Sequence, residues 1–290
     1  MEVSYYPGCS LHGMAREYDE SIRAVCRRLG ISLLELPDWN CCGASSAHFM
    51  DDDLAFDLAS RNLMLAEKSG RELLVPCAAC FQRLKSAEKE LLNHPERSPE
   101  KMYEHKAPIH HISDFFARPE ILKNIASQVK KRLAALRGVA YYGCLSQRPP
   151  RITDSPAPEN PLAMDRVLQT LGFRVLPWSY KTECCGGSLA LTRPDIVLKL
   201  SGDLFDAAQE AGAECLVVDC QMCQSNLDTR QAEIEAGLGR RFNLPVIYLT
   251  ELMAVAFGDG QGRDWWKKHF QDPEPWLRSK NLLTSDGVRG

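Results

Sequence analysis

Cys41-Cys42-Gly43 is the stretch from which the organisation of this chain can be worked out. Two adjacent cysteines strain to form a disulfide with each other, and they are better placed to offer two thiolates to one inorganic centre. Gly43 permits the sharp turn that brings the backbone close to such a centre. Cys9 lies upstream of the pair, and Cys77-Ala78-Ala79-Cys80 lies downstream. These five cysteines form the first of two sets.

The same set of cysteines occurs a second time. A shift of 143 positions places Cys41-Cys42-Gly43 on Cys184-Cys185-Gly186, and the two C-x-x-C pairs coincide at the same shift. Self-similarity at this long period indicates a duplicated domain, not a short-period solenoid. Ten of the twelve cysteines belong to the two sets. The second set consists of Cys144, Cys184, Cys185, Cys220 and Cys223.

The secondary structure predicted around each set is alike. Short apolar strands lead to the first cysteine and to the C-x-x-C pair, another strand precedes the paired cysteines, and helices of apolar period 3.6 follow. The predicted strands are residues 3–6, 31–36, 73–75, 139–142, 173–176 and 216–218; residues 108–112, a strand-like run, resemble residues 245–249. The predicted helices are residues 17–29, 53–68, 80–92, 120–136, 195–211 and 223–236, with Asp53 and Asp195 as N-terminal caps. This alternation predicts two duplicated α/β (Rossmann-like) domains related by pseudo-two-fold symmetry, each with a mainly parallel sheet.

The repeat also predicts the domain boundaries. We expect a first domain over residues 1–136, a second over residues 137–257, and a C-terminal tail over residues 258–290. Residues 146–161 contain five prolines and are typical of an extended surface loop. The tail is rich in aromatic residues, including Trp265, Trp266 and Trp276. It either packs on its own domain or docks a partner chain.

Composition restricts the class of protein. The formal net charge of −3 argues against nucleic-acid binding, which requires a basic face. The N-terminus has no basic region followed by an apolar run, so no signal peptide is predicted. No stretch approaches the roughly 18 apolar residues of a membrane span. We therefore expect a soluble cytoplasmic protein, in which cysteines bind metal or take part in catalysis more often than they form disulfides.

The positions of the cysteines favour inorganic chemistry. Each C-x-x-C lies at a strand end and a helix start, where the helix dipole favours thiolate. Ligand sites in open α/β sheets lie beyond the carboxyl ends of the strands, so each set can converge on one point. Four thiolates suit zinc or a regular four-iron cluster, and a fifth suggests an opened cluster with bridging sulfurs. Zinc bound by four of the five, or a thioredoxin-like dithiol at each C-x-x-C, are the alternatives.

The spacing Cys-x31-Cys-Cys-Gly-x33-Cys-x2-Cys, with its second copy, resembles the cysteine-rich CCG domain. Tyr6-Pro7-Gly8-Cys9-Ser10-Leu11 and Cys220-Gln221-Met222-Cys223-Gln224-Ser225-Asn226-Leu227 are similar to the B subunit of heterodisulfide reductase, over about residues 1–257. The resemblance implies two non-cubane 4Fe-4S clusters with a disulfide substrate between them, so that the cluster ligands are also the catalytic residues. The ligands implied for the first cluster are Cys9, Cys41, Cys42, Cys77 and Cys80, and those for the second are Cys144, Cys184, Cys185, Cys220 and Cys223.

The resemblance also implies partners. The sequence contains no ferredoxin-type C-x2-C-x2-C-x3-C run and no G-x-G-x-x-G after a strand, so electrons must come from other subunits. The partners that the family implies are its ferredoxin-like C subunit and its flavin-containing A subunit. The predicted function is the catalytic iron–sulfur subunit of a heterodisulfide-reductase-like oxidoreductase complex. It would reduce or form a small disulfide, or a protein-bound sulfur species such as one on lipoate. The alternative is a non-catalytic electron-relay or scaffold subunit of another oxidoreductase, with zinc in one half.

Several other residues near the cysteines carry two interpretations. His12 and His48 are either proton donors to the first site or surface and supporting residues. Charged residues near the second set either shape a cleft for an anionic substrate or are solvated; they are Lys181, Glu183, Arg148 and Arg151. One of His110 and His111 is expected to be buried and hydrogen-bonded. Cys26 and Cys215 have no counterpart in the other half and are predicted to be core residues.

Overall fold

The structure, a computed structural model, describes residues 1–44, 46–98, 103–259 and 262–283. The elements of the N-terminal half are, in order, β1 (Glu2–Tyr5), α1 (Gly8–His12), α2 (Arg16–Arg28), β2 (Ser32–Glu35), α3 (Ala47–Met50), α4 (Asp52–Ser69), β3 (Leu73–Val75), α5 (Ala78–Asn93), β4 (Ile109–His111), α6 (Ile112–Phe116) and α7 (Pro119–Gln128). The elements of the C-terminal half are β5 (Arg137–Tyr141), α8 (Pro150–Thr153), α9 (Ala163–Thr170), β6 (Arg174–Val175), α10 (Pro194–Glu210), β7 (Leu216–Val218), α11 (Gln221–Leu238), β8 (Val246–Tyr248) and α12 (Leu249–Phe257). Two short helices follow, α13 (Gly262–Trp266) and α14 (Glu274–Ser279).

Each half contains one four-stranded sheet. The strand order is β2-β1-β3-β4 in the first and β6-β5-β7-β8 in the second, and every pairing is parallel. The two orders are equivalent, strand for strand, which confirms the predicted fold of two duplicated α/β units. The central strands β3 and β7 are fully buried, as their uninterrupted apolar sequences require in a sheet covered on both faces.

The two halves share one interface. Helix α2 of the N-terminal half packs against α12 of the C-terminal half. Tyr18 stacks on Tyr248 with ring centroids 4.1 Å apart, and its hydroxyl donates a hydrogen bond to the Asp219 carbonyl at 2.8 Å. The hydroxyls of Ser21 and Thr250 are 2.7 Å apart and are buried. One cluster of buried apolar residues runs through both halves.

The predicted helix over residues 120–136 is wrong at its C-terminal end, because α7 stops at Gln128. Val129 is extended, with φ −65° and ψ 113°. The backbone N–H groups of Lys130 and Lys131 then donate to the Ala256 carbonyl, at 2.8 and 2.9 Å. These hydrogen bonds to the end of α12 replace the ones that a continued helix would have made.

The two predicted helix caps also differ from the structure. Asp51, not Asp53, caps α4: its backbone is extended and its carboxylate accepts hydrogen bonds from the N–H groups of Asp53 and Leu54. A residue already inside the first turn cannot provide this geometry. Helix α10 has Arg193 in the capping position and Pro194 as its first residue. Asp195 instead pairs with the Arg193 guanidinium at 2.7 Å.

The tail packs on its own chain. Trp265, Trp266 and Leu277 are almost completely buried, and α13 contacts α2 of the N-terminal half as well as α12. The first of the two interpretations of the tail is therefore confirmed for the described residues, and residues 284–290 lie outside them. Within the described ranges, no helix combines the length and apolar character that a membrane crossing needs.

Candidate functional site

Both cysteine sets lie where the carboxyl ends of the parallel strands meet the following helices. Cys9 follows β1 in the first turn of α1, and Cys77 follows β3 directly before α5. Cys77 is the N-terminal cap of that helix, and its sulfur accepts a hydrogen bond from the Cys80 N–H at 3.4 Å. Cys220 has the same position before α11. The topology thus brings residues that are far apart in sequence to one edge of each sheet.

In the N-terminal half the thiols contact one another. The sulfurs of Cys42 and Cys80 are 3.2 Å apart. The pKa of Cys42 is lowered to about 3, mainly by a hydrogen bond from Cys41 and then by one from Cys80. The pKa of Cys41 rises correspondingly, through its hydrogen bond to Cys42, through burial, and through the nearby charges of Cys42 and Cys9. A hydrogen bond from Cys80 also lowers the pKa of Cys77. All five thiols of this set therefore interact with at least one other member.

The C-terminal half has a similar group of thiols, in which one hydrogen-bonded pair differs. The sulfurs of Cys185 and Cys223 are 3.8 Å apart. A hydrogen bond from Cys144 lowers the pKa of Cys184 to about 6, and the pKa of Cys144 rises in response. The pKa of Cys223 is raised by its hydrogen bonds to Cys185 and then to Cys220, together with burial. The second set is therefore also gathered at one place.

The thiols differ in their access to solvent. Cys9 and Cys184 are exposed, Cys41 and Cys144 are half-buried, and the other six of the two sets are buried. Each site thus has a closed floor formed by the C-x-x-C pair and an open rim. The thiols meet in pairs, and in the described part of the chain no three His, Cys, Asp or Glu side chains converge closely enough to hold a single metal ion.

A glycine lies against the innermost thiol in each half. A Cβ atom on Gly8 would be 2.8 Å from the Cys80 sulfur, and one on Gly143 would be 2.8 Å from the Cys223 sulfur. Both glycines have positive φ, +72° and +68°. Any other residue at these positions would push a Cβ atom against the sulfur, so the strand-to-helix turn requires glycine in both halves.

Two buried tyrosines hold the loops that carry the cysteine pairs, and the sequence analysis did not identify them. The Tyr6 hydroxyl donates to the carbonyl of Asn40 at 2.8 Å, and the Tyr141 hydroxyl donates to the carbonyl of Glu183 at 2.7 Å. Each carbonyl belongs to the residue directly before the cysteine pair. The available signal was the equivalent place of the two tyrosines, three residues before Cys9 and Cys144.

The two sites also contact each other. Gln221 lies between the cysteines of the C-terminal C-x-x-C, yet its Nε2 donates to the sulfur of Cys77 in the N-terminal half at 2.8 Å. Both residues are buried. Nothing in the spacing of the motif indicates this contact, because it joins residues 144 positions apart.

The remaining candidates are accounted for by contacts of their own. His12 is half-exposed and pairs with Glu35 at 3.1 Å. His48 lies against the ring of Phe49, with its buried Nδ1 unpartnered among the described residues. Cys26 and Cys215 are buried core residues as predicted, and burial raises the pKa of each thiol.

Of the two histidines in β4, His111 is the buried one. Its Nδ1 is 3.5 Å from the carboxylate of Asp219, across the interface between the halves. His110 is half-buried, and burial is the main cause of its lowered pKa, about 4. The expectation of one buried histidine in this strand is confirmed.

Among the charged residues near the second set, Lys181 is not solvated. It is buried, and its Nζ donates to Asp165 at 2.7 Å and to the Pro161 carbonyl at 3.0 Å. A cation that meets a carboxylate and a carbonyl can be buried despite its position in a loop. Arg148 pairs with Glu159 and donates to Thr182 at 2.9 Å.

Comparison with known proteins identifies the family. The CCG cysteine-rich domain matches residues 3–85 and 139–228. The 8-methylmenaquinol:fumarate reductase membrane anchor subunit of Wolinella succinogenes is 29% identical over 264 residues, which cover 89% of this chain and 92% of that protein. The B subunit of the ferredoxin/F(420)H(2)-dependent CoB-CoM heterodisulfide reductase of Methanosarcina acetivorans is 25% identical over 272 residues, 89% of each chain. The crystal structure of a hypothetical protein from Helicobacter pylori has the same fold, with a TM-score of 0.74 at 14% identity over 93% of this chain and 52% of that one.

Proposed function

The chain belongs to the cysteine-rich CCG domain family, and on that basis we propose that it is the iron–sulfur subunit of an oxidoreductase, with one 4Fe-4S cluster in each half. The observation that carries the proposal is the gathering of five thiols at the sheet edge of each half. The first cluster belongs to residues 1–136 and the second to residues 137–257, with residues 258–290 as a tail. The abundance of thiols supports a reducing compartment such as the cytoplasm.

The ligands in this proposal are the ten cysteines of the two sets. Thiolates are soft donors that suit iron–sulfur clusters, and five exceed what a regular four-iron cluster or a zinc ion takes. A side chain at Gly8 or Gly143 would press on a buried ligand sulfur, so glycine at both positions leaves that sulfur unobstructed. Five ligands per cluster support the non-cubane form. The cluster ligands would be Cys9, Cys41, Cys42, Cys77 and Cys80 in one half, and Cys144, Cys184, Cys185, Cys220 and Cys223 in the other.

The reaction that this arrangement best supports is the reduction of a disulfide, or its reverse. The S–S bond breaks, two electrons and two protons are taken up, and two thiols are released. Each bound cluster would supply one electron. The exposed Cys9 and Cys184 mark the rim that a substrate would approach. The electrons would come from a ferredoxin-like partner and a flavin-containing partner, and the similarity to a heterodisulfide reductase chain supports such a complex.

A second function is supported by the other relative. The similarity to a fumarate reductase chain, at 29% identity, favours an electron-relay role in a different oxidoreductase. In that case the clusters would pass electrons without binding a sulfur substrate. If zinc occupies one half in this second function, only the other half carries a redox group.

Metal analysis after anaerobic purification tests the cluster assignment. Two 4Fe-4S clusters predict about eight iron atoms and eight sulfides per chain. Four irons and one zinc per chain would support zinc, in place of a cluster, in one half. Cys42→Ala and Cys185→Ala should each lose or convert the cluster of their own half alone. Unchanged iron content and spectra in both variants would refute the five-ligand assignment.

A spectroscopic titration separates the two functions. The protein is reduced by one electron per cluster and mixed with a small disulfide or its thiol, and the electron paramagnetic resonance (EPR) signal is followed. A new signal that disappears in Cys42→Ala and Cys185→Ala supports disulfide chemistry. A signal indifferent to disulfides and thiols, in a protein that still exchanges electrons with a reduced quinone or ferredoxin, supports the relay.

A further inference from the structure

One hydrogen bond crosses from the ligand motif of one half to a ligand of the other. Gln221 is the first residue of α11, between Cys220 and Cys223, and its side chain turns away from its own half. Its Nε2 donates to the Cys77 sulfur at 2.8 Å, a short distance for a bond to sulfur. Gln221 is 2% exposed and Cys77 is 3% exposed, so water does not compete for either group.

The duplication does not repeat this bond. At the shift of 143 positions that superposes the cysteine pairs, Gln221 corresponds to Ala78. Alanine has no side-chain N–H, so residue 78 cannot donate to Cys220 in return. The surroundings of the two C-x-x-C pairs therefore differ in this donor.

A hydrogen bond to a cysteine sulfur matters most when that sulfur carries charge. An N–H donor stabilises the more negative, reduced state of a metal cluster more than the oxidised state, and hydrogen bonds to sulfur are among the determinants of cluster potential. The amide orientation agrees with this role, because the reverse orientation would set the Gln221 oxygen against the sulfur, and two acceptors repel. The other amide atom, Oε1, is buried without a partner among the described residues.

We propose that Gln221 is a positioning residue that raises the reduction potential of the N-terminal cluster relative to the C-terminal one. This inference rests on the proposed function. The first electron to arrive then resides mainly on the N-terminal half, and the two halves fill in a fixed order. The contact also makes the reduction potential of the N-terminal cluster sensitive to the position of the C-terminal half, because donor and acceptor lie on opposite sides of the interface.

The test compares Gln221→Met, which keeps the volume of the side chain and removes the donor, with the wild type. Gln224→Met is the matched control, since Gln224 is a buried glutamine on the same helix whose Nε2 lies near His269 instead, at 3.4 Å. Each protein is poised at a series of potentials, and the reduced fraction of each cluster is read by EPR. Cys42→Ala and Cys185→Ala assign the signals to the halves.

We expect Gln221→Met to lower the ratio of reduced N-terminal to reduced C-terminal cluster about tenfold, which corresponds to about 59 mV for one electron. Gln224→Met should leave the ratio unchanged. Gln221→Glu, which also lacks the donor and adds negative charge, should lower the ratio further. An unchanged ratio in Gln221→Met at full iron content overturns the inference.

The outcomes also separate this inference from the proposed function. Wild-type protein without iron refutes both. Iron at about eight atoms per chain with no effect of Gln221→Met refutes the inference alone. Loss of iron from the N-terminal half in both Gln221 variants also refutes it, since Gln221 would then be needed to retain the cluster and not to set its potential.

Discussion

Gly8 and Gly143 show how much of the site depends on single residues. Each combines a left-handed backbone with a distance of 2.8 Å between the position of a Cβ atom and a buried cysteine sulfur. Gly30 has nearly the same φ, +69°, and an added Cβ there would meet nothing within 4 Å. The chain therefore contains its own control for separating backbone strain from steric contact with the thiol.

We predict that Gly8→Ala removes iron from the N-terminal half alone and Gly143→Ala from the C-terminal half alone. Gly30→Ala should cost about 1 kcal/mol of stability through the left-handed backbone and leave iron content unchanged. Iron analysis together with denaturant unfolding checks both effects. Equal iron loss in Gly30→Ala would show that backbone strain, and not contact with the sulfur, is responsible.

The two tyrosines that hold the loops, Tyr6 and Tyr141, differ in whether their carbonyl acceptor has a second hydrogen-bond donor. The Asn40 carbonyl has a second donor, Asn62 Nδ2 at 2.9 Å, in addition to Tyr6. No second donor to the Glu183 carbonyl is found among the described residues. Tyr141→Phe should therefore destabilise the protein by more than Tyr6→Phe, which should cost about 1 kcal/mol, because the Glu183 carbonyl loses its one described donor.

Unfolding in urea under anaerobic conditions measures these differences. The phenyl ring of each variant keeps the packing, so a change in the spectrum of the cluster proposed for that half would report on the position of the loop. Equal losses of stability in the two variants would contradict the role given to Asn62.

At the residue scale, the sequence was sufficient to predict the cysteines of the site but not the residues that contact them. The cysteines could be identified because their spacing repeats and their chemistry is specific. Tyr6, Tyr141 and Gln221 act through tertiary contacts, and a tyrosine or glutamine has many ordinary uses. For Lys181 a solvated position was one of two interpretations, because its partner Asp165 cannot be assigned to it from sequence.

The secondary-structure elements follow local sequence closely except where a tertiary bond competes. The strands β3 and β7 begin and end as predicted, and helix α2 is shifted by one residue. Helix α7 ends early because the end of α12 binds the backbone of residues 130 and 131. Apolar periodicity therefore indicated the type of the elements that were predicted, while contacts between elements decided where some of them end.

The short helices of the tail introduce a pH-dependent contact. His269 is buried with its Nε2 3.1 Å from the Glu251 carboxylate. Burial alone would lower the pKa of His269, but the charge and hydrogen bond of Glu251, with the charges of Asp228 and Glu17, raise it to about 9. An unfolded histidine titrates near pH 6.5. The contribution of this pair to stability is therefore complete below about pH 6.5 and is lost as the pH rises through about 9.

We predict that the free energy of unfolding falls more steeply between pH 6.5 and pH 9 in the wild type than in His269→Gln. The difference should be up to about 3 kcal/mol, from the linkage between pKa and stability. Denaturant unfolding at several pH values measures it. Identical slopes in the two proteins would mean that His269 is neutral in the folded state.

At the scale of the whole molecule the two halves behave as one unit. Tyr18 of α2 both stacks on Tyr248 and donates to the Asp219 carbonyl in the other half. The tail covers α2 and α12 together through the buried Trp265 and Trp266. A continuous apolar core of this kind opposes independent unfolding of its parts.

We predict a single cooperative unfolding transition, seen at the same denaturant concentration by circular dichroism and by tryptophan fluorescence. Tyr18→Ala should shift the transition of both probes by about 3–5 kcal/mol, because it removes a buried aromatic ring at the interface. Two separate transitions in the wild type would show that the halves fold independently. The duplication could be predicted from the sequence, but this interface could not, because its residues are not repeated.

The cross-half contact of Gln221 has a consequence for the origin of such chains. In a dimer of two identical half-chains, the symmetry axis copies every substitution, so neither member can acquire a donor that the other lacks. Fusion of the copies into a single polypeptide lifts that restriction, and position 78 can hold alanine while position 221 holds glutamine. Two unlike halves can favour one direction for a transfer between them, whereas two identical halves related by a two-fold axis cannot.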